Sequence, residues 1–104
     1  MNTYLCKLRA PRADFIATMT DAERALMQAH IAFWQPRFAD GTAVAMGPVI
    51  EAGGATWGLG IFRAPDEAAL RALLAKDPVI AAGKGFTYET GLMPRGVMLG
   101  TAPA

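Results

Sequence analysis

The chain opens on strict alternation. Tyr4, Cys6 and Leu8 interleave with Leu5, Lys7 and Arg9, a period of two that predicts a strand over Thr3–Arg9 with one apolar and one mixed face. Pro11 closes it. Asp14–Met19 shows no period and reads as irregular chain or a short turn of helix. The spacing then changes to three and four. Leu26, Met27, His30, Ile31, Phe33, Trp34 and Phe38 share one broad side, which predicts an amphipathic helix running to about Phe38. Thr20-Asp-Ala-Glu23 marks its start as a capping box, and Asp40-Gly41 marks its stop. Pro36 is expected to distort or end the last turn, because it lacks the N–H of the helical ladder.

Ala43–Glu51 predicts a second strand. Pro48 cannot donate to a ladder, so this strand belongs at a sheet edge or carries a bulge at Gly47-Pro48. Ala52-Gly53-Gly54-Ala55 supplies a hairpin turn into a third strand, Thr56–Arg63. There Trp57, Leu59 and Ile61 share one face, and Gly58, Gly60 and Phe62 the other. Pro65 and Asp66 open a second helix whose apolar stripe is Leu70, Leu73 and Leu74. Asp77-Pro78 ends it, since proline disfavours helical angles in the residue before it. Val79–Gly83 reads as a short turn or helix, and Phe86–Leu92 as a fourth strand with Phe86, Tyr88, Thr90 and Leu92 on one face. Arg95–Leu99 adds a short strand or arm.

Strand, helix, strand, strand, helix, strand is the split βαβ order. Two right-handed crossovers place both helices on one face of a four-stranded antiparallel sheet. The predicted fold is therefore α+β, ferredoxin-like βαββαβ. Its other face is bare, and composition bears on that face. Of 104 residues 53% are hydrophobic, with 11 Gly besides, an apolar content above that of most small domains. A second copy is the expected cover, giving a homodimer that closes as a dimeric α/β barrel. No repeat or linker divides residues 1–104, which read as one domain.

Charge and length narrow the function classes. A net charge of +1 argues against nucleic acid as a partner. No apolar run reaches the roughly 18–20 residues that span a bilayer, and the N-terminus lacks the layout of a signal peptide. No membrane partner and a cytoplasmic location are expected. Cys6 is the sole cysteine and His30 the sole histidine, which leaves no intrachain disulfide, thiolate cluster or structural zinc site. No cofactor is expected.

His30 lies mid-helix on the apolar side. It fits a core imidazole bonded to backbone or, given this topology, a partner for Asp77. Asp77 fits a carboxylate that bonds its own turn. Yet the end of the second helix approaches the middle of the first, so Asp77 is also placed to accept from one nitrogen of His30 and raise the basicity of the other. Such a pair suits proton abstraction and return. The chain has no Ser, and nothing around Cys6 marks it as a nucleophile. Gly47-Pro48 reads as a device against edge pairing or as a bulge beside a pocket. Gly58 and Gly60 permit close approach of a helix or a ligand. Lys7 and Arg9 point to the face opposite Cys6, either towards an anionic ligand or towards acids of a partner subunit. Trp34 and Trp57 fit core, interface or ligand platform. Gly53-Gly54 and Gly83-Lys84-Gly85 lack the placement of phosphate loops.

Three separated features then coincide: His30 in its helix, Ala45-Met46-Gly47-Pro48 after Asp40-Gly41, and Asp77-Pro78 followed by Ala82-Gly83 and Phe86-Thr-Tyr-Glu89. In their order and spacing the chain resembles the YciI-like (YCII-related) family of the dimeric α/β barrel superfamily, from the first strand to about Leu92. The resemblance implies a ferredoxin-like subunit, a dimeric barrel, and an active site built on a histidine and an aspartate, which fall on His30 and Asp77. The family's Gly-Pro falls on Gly47-Pro48. One branch is similar to a dehydrochlorinase of a chlorinated, hydroxylated aromatic ring. The leading expectation is a cofactor-independent lyase, isomerase or dehydrochlorinase-like enzyme acting on a small molecule. His30 would be its base and Asp77 the orienting partner, with Gly47, Pro48, Lys7, Arg9, Trp34 and Trp57 contacting substrate. The alternatives are a non-catalytic ligand-binding or regulatory dimer, and haem ligation through His30.

Overall fold

Residues 1–97 are described by a computed structural model. Four strands and four helices follow one another there: β1 (Asn2–Arg9), α1 (Phe15–Thr18), α2 (Asp21–Ala39), β2 (Ala43–Ile50), β3 (Thr56–Ala64), α3 (Glu67–Leu74), α4 (Pro78–Ala81) and β4 (Thr87–Leu92). The sheet is antiparallel throughout, in the order β2-β3-β1-β4. With the helices on one face, this is the expected ferredoxin-like α+β architecture. No helix among the described residues is long and apolar enough to cross a membrane. Pro94 and Arg95 form a turn and Gly96 and Val97 are irregular, so the strand or arm expected at Arg95–Leu99 does not begin there, and its last two residues lie outside the described residues.

Local chemistry sets the element ends. The Thr20 hydroxyl accepts from the Glu23 N–H at 3.1 Å, and the Glu23 carboxylate accepts from the Thr20 N–H at 2.9 Å, so both halves of the capping box form. At the other end α2 runs through Pro36 to Ala39 instead of breaking. So close to the C-terminus proline removes one ladder bond, and the turn beyond it is held by the stack of Arg37 on Phe33, with the guanidinium 3.9 Å from the ring centroid. Asp66 caps α3 by accepting from the Ala69 N–H at 2.8 Å.

Of the two readings of Pro48, an edge strand or a bulge, the sheet realises the edge, and the irregularity of β2 lies elsewhere. The register of β2 slips between Ala43 and Ala45, while Pro48 sits in step opposite Gly58. β2 is an edge strand, and there alternate N–H groups face away from the ladder, so proline needs no bulge.

Alternation along the strands builds the core. Tyr4 and Cys6 of β1 with Phe62 and Ala64 of β3 are buried beneath Trp34, Leu70 and Leu74 of the helices. A second cluster joins Leu8, Phe15, Val79 and Phe86, and Tyr88 packs against both. Gly60 makes one junction possible. A Cβ there would stand 2.4 Å from the Phe62 ring, so the bare backbone is what lets that ring lie flat, stacked on the Trp34 indole at 3.7 Å between centroids. Gly58 in turn lies against Leu8. Both glycines thus admit neighbouring side chains, and neither admits the helix backbone that packing arguments suggested. On the opposite face Leu5, Lys7, Trp57, Leu59 and Ile61 have no helix over them.

Candidate active site

Helix α2 places His30 and Trp34 one turn apart, on the side facing α4. The chain leaving α3 reverses at Asp77-Pro78, and Asp77 becomes the N-cap of α4, accepting from the Val79 N–H at 3.1 Å. Its carboxylate meets α2 in the same position. His30 Nδ1 lies 2.7 Å from Oδ2 and 3.0 Å from Oδ1. The Trp34 Nε1–H donates to Oδ2 at 2.7 Å, and the Tyr88 hydroxyl of β4 donates to it at 2.8 Å. The local-turn and His-partner readings of Asp77 are therefore both realised by one side chain.

Asp77 is wholly buried, with 0% exposure. Burial pushes its carboxyl upwards, but the bonds from His30, Trp34 and Tyr88, with the His30 charge, outweigh it and hold the group below the usual carboxylate range. An ionised carboxylate only accepts, so His30 Nδ1 carries a hydrogen, and in the neutral imidazole Nε2 is then the bare nitrogen. Burial, followed by the charge of Asp77, drives the Tyr88 phenol well above its ordinary value, so Tyr88 stays a donor. Nε2 has no protein partner, and among the described residues no buried side-chain nitrogen or oxygen goes unbonded. Nε2 is therefore open to the space beside it.

That space is a cavity of about 650 Å³ between α2, α1 and the sheet. His30, Met27, Ile31 and Phe38 of α2 form one wall, Phe15, Ile16 and Met19 of the α1 segment another, and Met46, Pro48 and Gly60 of the sheet a third. The α1 wall is clamped by Arg12, which holds both oxygens of Glu23 at 2.7 Å and donates to the Thr18 carbonyl at 2.8 Å.

Of the residues singled out from sequence, the structure brings His30, Asp77, Gly47 and Pro48 to this region. Trp57 borders the cavity, while its ring lies beneath Lys7, whose Nζ is 4.5 Å from the ring centroid. Lys7 and Arg9 do not line it; Arg9 is paired with Glu89 at 2.8 Å. Trp34 is core, 0% exposed, and reaches the site only through Asp77. Alternation had put Lys7 and Arg9 opposite Cys6, and the cavity lies on the Cys6 side. Cys6 itself is buried, and burial raises its thiol to about 12, which leaves it an unreactive thiol.

Several contributors went unread in the sequence. Tyr88 and Trp34 were seen as aromatics, not as donors to Asp77. Phe15, Ile16 and Met19 lay in a segment with no period. The available signal was the breadth of the α2 apolar side, wider than one sheet contact needs, since Ile31 and Phe38 remain 50% and 41% exposed at the cavity.

Fold and site together define a ferredoxin-like α+β protein in which a buried aspartate holds a half-buried histidine beside an apolar cavity. The chain belongs to the YCII-related domain family, whose model matches residues 4–91. Among solved structures it is similar to 5-chloro-2-hydroxyhydroquinone dehydrochlorinase from Burkholderia phenoliruptrix AC1100, in complex with 2,5-dihydroxybenzoquinone. The TM-score is 0.63 at 18% identity, over 89% of this chain and 95% of that one. No curated protein sequence matches it.

Proposed function

We propose that this protein is a cofactor-independent small-molecule enzyme in which His30 is the general base and Asp77 its orienting partner. The observation that carries this reading is His30 held through Nδ1 at 2.7 Å from a buried carboxylate while Nε2 opens to an apolar cavity. Nε2 would take a proton from an activated O–H or C–H, and Asp77 would stabilise the imidazolium that forms. Returning the proton to a different atom is an isomerisation. Expelling a leaving group as the carbanion or phenolate collapses is a lyase step, and loss of chloride is one form of it. The dehydrochlorinase with the same fold supports that form without fixing it for this chain.

The reading extends to a homodimer. Leu5, Trp57, Leu59 and Ile61, with Lys7 among them, make a mainly apolar sheet face that has no helix over it among the described residues, and a second copy would cover it.

The test is chloride release and solvent-deuterium uptake over a panel of chlorinated hydroxyquinols and enolisable ketones. His30→Gln is expected to lower turnover about 10²–10⁴-fold, the usual worth of general acid–base assistance, with an unchanged circular-dichroism spectrum. Turnover that survives in His30→Gln sinks the assignment.

A further inference from the structure

The cavity is lined without permanent charge. Among the described residues its lining contains no Asp, Glu, Lys or Arg. The basic side chains nearby are engaged elsewhere: Lys7 over Trp57, Arg9 with Glu89, Arg12 with Glu23, and Arg37 over Phe33. Of the two ionisable side chains in the lining, Tyr88 donates its hydroxyl to Asp77 at 2.8 Å. His30 Nε2 is the remaining one with a free atom. A phosphate, sulfate or carboxylate drawn into such walls would lose its water and meet no Lys or Arg among the described residues, and the one lining ring that can carry positive charge, His30, is already paired with the Asp77 carboxylate. Leu8, Phe15, Met27, Met46 and Phe86 present hydrocarbon, ring and thioether surface instead, and methionines adapt to irregular apolar shapes.

Size adds a second constraint. About 650 Å³ sits inside the roughly 300–1,000 Å³ of small-molecule sites and leaves most of the space empty around a single ring. Ile16, Ile31 and Phe38 stand at the cavity with 47%, 50% and 41% of their surface exposed, apolar area that an extended ligand would cover. We infer that the cavity takes a neutral, mainly apolar molecule longer than one ring, presented to His30 Nε2 by a single hydroxyl or activated C–H. The orientation rests on the acid–base reading; the ligand class rests on the lining alone.

The probes are 4-methylphenol, 4-propylphenol, 4-pentylphenol and 4-pentylbenzoate, titrated into the full chain and followed by NMR on its one imidazole, His30. Affinity is expected to rise up to about fourfold per added methylene, with the His30 resonances moving on binding. The benzoate is expected to bind at least about tenfold more weakly than the pentylphenol, since its charge finds no partner. Ile31→Arg, on a half-exposed side chain, should reverse that preference, and Phe38→Arg repeats the test at a second position. A flat alkyl series, a benzoate that binds wild type as well as the phenol, or binding that leaves His30 unmoved each overturns the inference. The two readings fail separately. A graded alkyl series together with full turnover in His30→Gln would keep the ligand class and remove the base. A flat series together with lost turnover would do the reverse.

Discussion

Asp77 concentrates the energetics of the site in one residue. Its two oxygens take His30, Trp34, Tyr88 and the Val79 N–H, so a buried charge is balanced by donors on three separate elements. Asp77→Ala leaves all of them unmatched and is expected to cost about 3–5 kcal/mol in chemical denaturation, the range for breaking a buried charged cluster. Tyr88→Phe removes one donor to a charged acceptor and should cost about 1.5–3 kcal/mol. If Asp77→Ala unfolds at the same denaturant concentration as wild type, the network contributes nothing to the fold. The meeting of His30 and Asp77 was legible in the sequence, because a helix-ending aspartate and a mid-helix histidine become neighbours once the topology is known. The donors Trp34 and Tyr88 were not, since hydrogen-bond direction depends on where each ring comes to rest.

At the level of elements, the cavity wall and the site share one tie. Arg12 grips Glu23, Glu23 closes the cap of α2, and the α1 segment hangs between them. The Arg12 side chain first, and the Thr20 N–H second, pull the Glu23 carboxyl down from 4.5 to about 2. A carboxyl depressed on folding stabilises above its unfolded pKa and loses that contribution as pH falls through the folded one. Stability is therefore expected to drop between pH 4.5 and about 2, and Glu23→Gln should flatten that limb when denaturation midpoints are compared across pH. Gly60 is the corresponding close junction in the sheet. Gly60→Ala forces the Phe62 ring off its 2.4 Å neighbour and should cost about 1–3 kcal/mol as an overpacked core. Retained stability with the Trp34 stack intact, seen in tryptophan fluorescence, would count against that account. The capping box was readable from four residues; the Arg12 clamp was not, because it joins a segment without period to a helix.

For the molecule as a whole, the uncovered sheet face is the largest feature that the isolated chain leaves unpaired. The proposed homodimer predicts a light-scattering mass twice 11.0 kDa, and Ile61→Arg should shift it to the single-chain value by placing a charge in the covered face. A wild-type mass of one chain removes the dimer. The excess of apolar residues in the sequence pointed to this face, and the alternation of Leu5, Trp57, Leu59 and Ile61 located it. Lys7 and Arg9 stand open in the sequence between an anionic ligand and acids of a partner subunit. Their alternation in β1 was right, but the cavity opened on the other side.

Periodicity, caps and turns by themselves determined the order of the main elements and the sheet topology it implies, because these depend on spacing within a few residues and on the chirality of the chain; that topology then brings His30 and Asp77 together across 47 residues. Only the tertiary structure decided that the bulge sits at Val44 and that Trp34 serves Asp77 from the core. Only it decided that the α1 segment is a cavity wall, and that the wall is free of charge. Those properties arise where elements distant in sequence close on one another, and side-chain direction at such junctions is settled by packing.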